Sequence, residues 1–516
     1  MNRSLLIVFL VTALSFDMSV YSQELINWAD PSEQNIDNNS NFKILGVVGD
    51  KYYAISERNR NRSLYTFTLD HKLLNKEDFN VFGKSREYSI QNIVTTPRDT
   101  FLYIHELSQQ HKEWVLYKCD YDNGQFTKPV EIYFEKYNDI SNKRLRETYR
   151  QYEIFSNSGG GMVISPDSSH LAFVNVIVTT ESRQSEVVSV IVFDSAMNEK
   201  WRASFDYDFS DRNIEIKAIR LANNGIPYML AELESDIEYG KGIVPLRVKN
   251  LPRNKYFVYR VDQSGILRQE VKIEEETGIV DANMIFPDRD SDDYVIAGYY
   301  SSGEKNNRVS GLFWCKGNPE LEITGFKRTP LEKDVIKDMS YDFVVNDMLR
   351  MNNGAVGFVS EDYRINVNNN NFNNGAFGSF NRVGGVTYTY YSGDIVISHF
   401  DKQGNVVKTN YIQRRFETGD NTFSNYALTE SDNAYHIFYN TTKSRKEAKE
   451  LGLKGRIFTD VLSISRSGSI QLMSTLISER DDNFLFSPNL MIHNNKRAIM
   501  GGYDGRELIL AEIPLD

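Results

Sequence analysis

The chain of 516 residues holds only two cysteines, Cys119 and Cys315. Two thiols cannot make a disulfide framework, and no CxxC or other metal-binding spacing accompanies them. Each sits in a strand-like run, WVLYKCD or GLFWCKG, so two buried free thiols are expected. Proline is scarce, and no Pro/Gly/Ser-rich linker divides the chain. Helical periodicity is nearly absent. After the first 22 residues no apolar run could span a bilayer as a helix, which excludes an integral membrane protein of helical type. Catalytic signatures are missing too: there is no GxSxG, HExxH, P-loop or dinucleotide fingerprint. The seven histidines (71, 105, 111, 170, 399, 436 and 493) are scattered, with no metal-ligand spacing. A net charge of −11 argues against nucleic acid as a partner.

What is present begins with an address. Met1-Asn2-Arg3 and the apolar run Ser4 to Phe16 lead to Val20-Tyr21-Ser22, an acceptable cleavage site. Residues 1–22 are therefore expected to be a signal peptide and the protein to be exported. No cysteine lies near the cleavage point, so a bacterial lipid anchor is not indicated. The final strand-like segment ends close to Asp516, which favours the periplasm or peripheral cell envelope over dedicated secretion to the surface.

Residues 23–516 repeat. One hairpin type is a strand, a tight polar turn and a strong strand, as in LANNGIPYML from Leu221 and LRMNNGAVGFV from Leu349. It occurs eight times, near 47, 94, 164, 221, 285, 349, 428 and 492, with a mean spacing of about 64 residues. Between these copies lies a second hairpin, often turning on D-x-x-G, as in IVISHFDKQGNVV from Ile395. Each period thus holds four strands, the unit of a β-propeller blade. The expected fold is all-β: a single propeller of four-stranded antiparallel blades, eight in number, with seven as the alternative because the first and fifth copies are weakest. The last blade lacks its fourth strand. Leu25-Ile26-Asn27-Trp28 could supply it and close the ring, which would remove the exposed edges.

Ser165-Pro166-Asp167-Ser168-Ser169-His170-Leu171-Ala172-Phe173 resembles the S-P-D-G-x-x-[LI]-A-[FY] strand-turn of TolB-like and WD-repeat-like propellers, with Ser168 in place of the glycine. Tyr390 to Ile397 with Phe400 to Asn405, and Ser424 to Leu428 with Tyr435 to Asn440, are similar to segments of uncharacterised exported propeller-like proteins of Bacteroidetes. The resemblance covers the last third of the chain. It implies export and fold and carries no known activity.

Long insertions are expected at 139–161, 238–255, 360–393 and 441–456, all in second-to-third-strand loops or blade-to-blade connections, which share one face of a propeller. Three are basic. Residues 141–150, 238–255 and 441–456 carry +3, +4 and +4, leaving −22 on the rest of the mature chain. Arg144, Arg146, Arg247, Lys249, Lys443, Arg445 and Lys446 are the candidate ligand-binding residues, since a basic crown on an acidic body would focus an anionic partner. Charge runs equally serve solubility. Arg445 to Leu451 and Leu331 to Met339 read as short helices. The Asn- and aromatic-rich stretch from Asn366 to Tyr391 offers carbohydrate-like contacts but reads first as a low-complexity loop.

Asp288, Asp290 and Asp292 alternate oxygen ligands as a calcium loop does, making calcium the one cofactor considered. Asp293 stands where such a loop needs glycine, and Tyr299 where it needs glutamate, so the run also reads as an extended hairpin turn. No catalytic residue is assigned. The expected function is a non-catalytic exported propeller that binds an anionic glycan, an envelope component or another partner through its insertion face. The rivals are a glycan hydrolase or lyase using channel carboxylates and a structural accessory of an envelope assembly.

Overall fold

Eight antiparallel sheets follow one another along the chain in the computed structural model. It describes residues 26–29, 36, 41–58, 61–82, 88–108, 112–137, 161–177, 186–207, 214–233, 255–273, 277–302, 309–332, 343–370, 385–450, 457–476, 484–494, 496–504 and 507–515. The expected signal peptide, most of the expected insertions at 139–161 and 238–255, and most of the expected helix from Leu331 lie outside them.

Blades 1 to 7 occupy residues 41–78, 89–136, 162–207, 214–270, 277–330, 343–412 and 426–476. In each, the strands pair in chain order as a four-stranded meander, with a short extra strand in blades 2 and 6. Blade 8 consists of Phe484–His493, Arg497–Asp504 and Glu507–Pro514, with Asn27–Trp28 as its fourth strand. Asn27 pairs with Glu512 and Trp28 with Ala511. The eight-blade reading and closure by the N-terminal strand are both shown. A second contact fixes the closure. His71, in the last turn of blade 1, faces the Tyr52 hydroxyl through Nδ1 at 2.9 Å and the Asn27 carbonyl through Nε2 at 3.0 Å.

The burial pattern explains why each blade sits as it does. Second and third strands are apolar almost throughout: Pro227–Leu233 and most of Tyr294–Ser302 are buried. Such strands need cover on both faces, and here neighbouring blades supply it. Fourth strands such as Leu73–Asp78 and Ile323–Pro330 are mostly exposed and form the outer wall. Eight apolar clusters fill the eight seams between blades. Tyr228, Leu230 and Val258 of blade 4 pack on Met284, Ile296 and Phe313 of blade 5. Phe42, Tyr52 and Phe67 of blade 1 pack on Leu490, Ile499 and Leu510 of blade 8. Cys119 and Cys315 are buried free thiols in different seams.

The strand order puts the first-to-second and third-to-fourth turns on one face, and the strand ends that flank the four expected insertions on the other. The insertion read at 360–393 is largely strand. Val356–Asn370 and Gly385–Phe400 pair from Val356↔Phe400 to Asn370↔Gly385, so blade 6 carries a hairpin much longer than its neighbours'. Ile365 opposite Tyr390 and Val367 opposite Tyr388 supply the β-branched and aromatic residues that favour extended pairing.

Turn chemistry follows the repeat. In Ser165–Phe173 the Asp167 carboxylate accepts from the Ser165 hydroxyl at 2.7 Å and from the Ser169 amide at 2.9 Å. Ser168, where the motif has glycine, takes φ 59°. In the D-x-x-G turn of blade 6, Asp401 accepts from the Gln403 and Asn405 amides, and Gly404 has φ 82°. A Cβ on Gly404 would stand 2.3 Å from the Trp314 ring of blade 5. Two substitutions should therefore act oppositely in urea unfolding. Ser168→Gly is expected to stabilise by up to about 1 kcal/mol by relieving the left-handed backbone. Gly404→Ala is expected to cost about 2 kcal/mol from strain and the ring contact. Equal effects at the two sites would contradict this account.

Candidate functional site

Two groups of polar residues stand out, one towards each face. Near the insertion face, the first strands of blades 4, 5 and 6 each carry a β-bulge, between Ile216 and Ala218, Ile279 and Asp281, and Val345 and Asp347. A bulge inserts an unpaired residue and re-aims side chains. Lys217, the unpaired residue of blade 4, reaches Glu232 at 2.8 Å and Asp281 of blade 5 at 3.2 Å. Asp281 in turn accepts the Val345 amide of blade 6. Asn346, unpaired in blade 6, donates to Glu361 at 3.2 Å, and Glu361 also takes Arg414 at 2.8 Å. Arg414 donates through Nε to the Asn440 carbonyl of blade 7, and the Asn440 amide donates to the Phe486 carbonyl of blade 8. A buried polar belt thus staples five successive blades.

Burial pushes the Glu361 carboxyl up to about 7 although Arg414 opposes the shift, and burial lowers the Arg414 guanidinium from its ordinary value. Burial likewise raises the Asp281 carboxyl to about 6 against the pull of Lys217. Desolvation is the dominant cost of this belt. Its carboxylates are enclosed and already held by cations and amides, which is structural chemistry; the paired carboxyls that a glycan-cleaving site requires must face substrate and water.

Towards the tight-turn face lies a cavity of about 490 Å³ between the turns of blades 5, 6 and 7. Asp288 and Arg289, Arg350 to Gly354, Glu430, Asp432 and Arg466 line it. A second cavity of about 260 Å³ shares Arg350 and Glu430 with the first and is also lined by Arg220, Tyr435 and His493. Arg220 and Arg350 approach blade 5 from either side and donate through Nε to the Met284 and Phe286 carbonyls, at 3.0 and 2.9 Å. Arg466 is fully engaged: it donates to Glu430 at 2.6 Å, to the carbonyls of Ser431 and Arg350, and lies 4.2 Å over the Tyr435 ring.

Of the sequence-derived candidates, Arg144, Arg146, Arg247 and Lys249 lie outside the described residues. Lys443 is paired with Asp460 at 2.8 Å. Arg445 and Lys446 are exposed on the short helix Arg445–Glu450, the helix expected there. The run from Asp288 acts as a turn: Asp288 accepts the Asp290 amide, Asp292 accepts the Asn223 amide of blade 4, and Asp293 pairs with Lys316. Among the described residues no three His, Cys, Asp or Glu side chains are placed to hold a metal. Asp288, Asp290 and Asp292 thus serve the extended hairpin turn that the repeat register expects at this position. Sequence reading missed Arg220 and Arg350. Their signal was positional, since each lies at or one residue before the end of a first strand that leads into an Asn-Asn-Gly turn.

No protein-family model matches the chain, and no curated protein sequence does. Among solved structures it is similar to the WD40 domain of SCAP from fission yeast, with TM-score 0.40 and 11% identity over 95% of this chain and 98% of that one. It is also similar to the prolyl endopeptidases of a study of inter-domain dynamics, with TM-score 0.38 and 9% identity over 94% of this chain. A puromycin hydrolase gives TM-score 0.39 and 12% identity over 92% of this chain. The chain spans 57% and 60% of the endopeptidase and hydrolase chains respectively. These likenesses concern the propeller fold alone.

The belt makes a measurable prediction. Arg414→Leu should destabilise by about 3–5 kcal/mol by leaving Glu361 buried without its cation, and adding Glu361→Leu should recover part of that loss. A carboxyl whose pKa is higher in the folded chain binds its proton more tightly there. The contribution of Glu361 is therefore complete below about 4.5 and is lost as pH rises through about 7. Unfolding of wild type and Glu361→Gln across this range should diverge with pH; a constant difference would contradict the assignment.

Proposed function

We propose that this chain is an exported, non-catalytic β-propeller that binds an anionic partner, an acidic glycan or an acidic envelope component, through its insertion-bearing face. The observation that supports the reading is that the described strand ends flanking the four expected insertions all lie at one end of the blades, beside a belt whose charged groups are mutually neutralised. That combination pairs variable loops with a rigid base, the usual division of labour in a binding scaffold. The three basic insertions give the face its charge preference, because clustered cations on an acidic body attract anions and lose that attraction in salt. The belt offers no exposed acid/base pair, which favours binding over glycan cleavage.

The test uses immobilised acidic and neutral polysaccharides. The mature chain should bind the acidic ones, with affinity falling as salt rises. Reversing Arg144, Arg146, Arg247, Lys249, Arg445 and Lys446 to glutamate should weaken binding at least about tenfold. Equal binding by wild type and the reversed variant would overturn this reading.

A further inference from the structure

We infer that the cavity on the opposite, tight-turn face is a second and independent ligand site, built to take one compact oxyanion, a carboxylate or a phosphoryl group, on the Arg350 guanidinium.

The argument begins with the arginines. Arg289, Arg350 and Arg466 come from three successive blades and line one cavity of about 490 Å³, and Arg220 lines the continuation that shares Arg350. Their commitments differ. Arg466 is neutralised by Glu430 and fixed by two carbonyls and the Tyr435 ring. Arg350 is oriented but not neutralised. Its Nε donates to the Phe286 carbonyl, and its backbone amide and carbonyl are both held by the Tyr435 hydroxyl. Among the described residues its two terminal nitrogens make no hydrogen bond. A half-buried guanidinium with one edge anchored and the other presented to a cavity is arranged for bidentate oxyanion recognition.

The electrostatics point the same way. Burial lowers the Arg350 pKa, with nearby Arg289 and Arg466 adding to the effect against Tyr435 and Glu430. An added negative charge would relieve this crowding. The size of that charge is limited, because Asp288, Glu430 and Asp432 share the lining. A polyanion would meet three carboxylates, whereas a single oxyanion can lie between Arg350 and the exposed Arg289. This distinguishes the site from the insertion face, whose basic loops favour an extended acidic partner.

The experiment is thermal unfolding and titration calorimetry of the mature chain with inorganic phosphate and, separately, acetate, each against chloride at equal ionic strength. At least one oxyanion should raise the melting temperature saturably where chloride does not, and the stronger of the two identifies the preferred geometry. Arg350→Gln should weaken that binding at least about tenfold. Because Arg350 also supports the turn, Arg289→Gln is the second variant: it is exposed, should fold normally and should also weaken binding. Charge reversal at Arg445 and Lys446 should leave the effect unchanged, which separates this site from the insertion face. Stabilisation no greater than that by chloride, or equal affinity in wild type and both glutamine variants, would overturn the proposal.

Discussion

Everything in this molecule depends on a two-residue strand. Asn27–Trp28 completes blade 8, and through it the first and last blades become neighbours held by backbone pairing. Without that pairing Glu507–Pro514 would be an open edge. The seam between blades 8 and 1, where Phe42, Tyr52 and Phe67 meet Leu490, Ile499 and Leu510, would then lean on side-chain packing and its smaller contacts. A propeller buries its apolar strands only between blades, so an opened ring exposes surface at two places at once. The link from His71 to the Asn27 carbonyl and the packing of Trp28 against Phe484 fix the short strand from both sides.

Closure also explains why the two faces can differ. The eight seams carry the hydrophobic stabilisation, which leaves both rims free to vary. At one rim, bulges in blades 4 to 6 turn Lys217, Asp281 and Asn346 into a polar belt that ties neighbouring blades together. At the other rim short turns bring arginines from blades 4, 5, 6 and 7 around two adjoining cavities. One rim is thus braced by a buried polar belt, and the other holds a compact charged cavity made by the blade turns themselves.

The fold was legible in the sequence because each blade writes the same local chemistry. All eight expected first hairpins are observed, and Asp167 and Asp401 cap their turns as their motifs imply. The sites were harder to read. Bulges leave no mark in the period-2 pattern, so the convergence of Lys217 with Asp281, 64 positions away, could not be anticipated. Arg350 and Arg466 are 116 residues apart and meet only because consecutive blades turn around one axis. The acidic run from Asp288 had two readings in sequence because a ligand-like spacing of aspartates is also what a capped turn requires, and its carboxylates do accept turn amides. The stretch from Asn366 looked loop-like by composition, yet Tyr388 and Tyr390, with Ile365 just before the stretch, extend the blade 6 hairpin.

The central claim, an eight-blade ring locked by its N-terminal strand, is tested most directly by amide hydrogen exchange across Glu507–Pro514. Two chains should be compared, one beginning at Gln23 and one beginning at residue 31. The account predicts slow exchange around Ala511 and Glu512 in the first, and loss of protection there in the second. Identical exchange in the two chains would contradict closure by Asn27–Trp28.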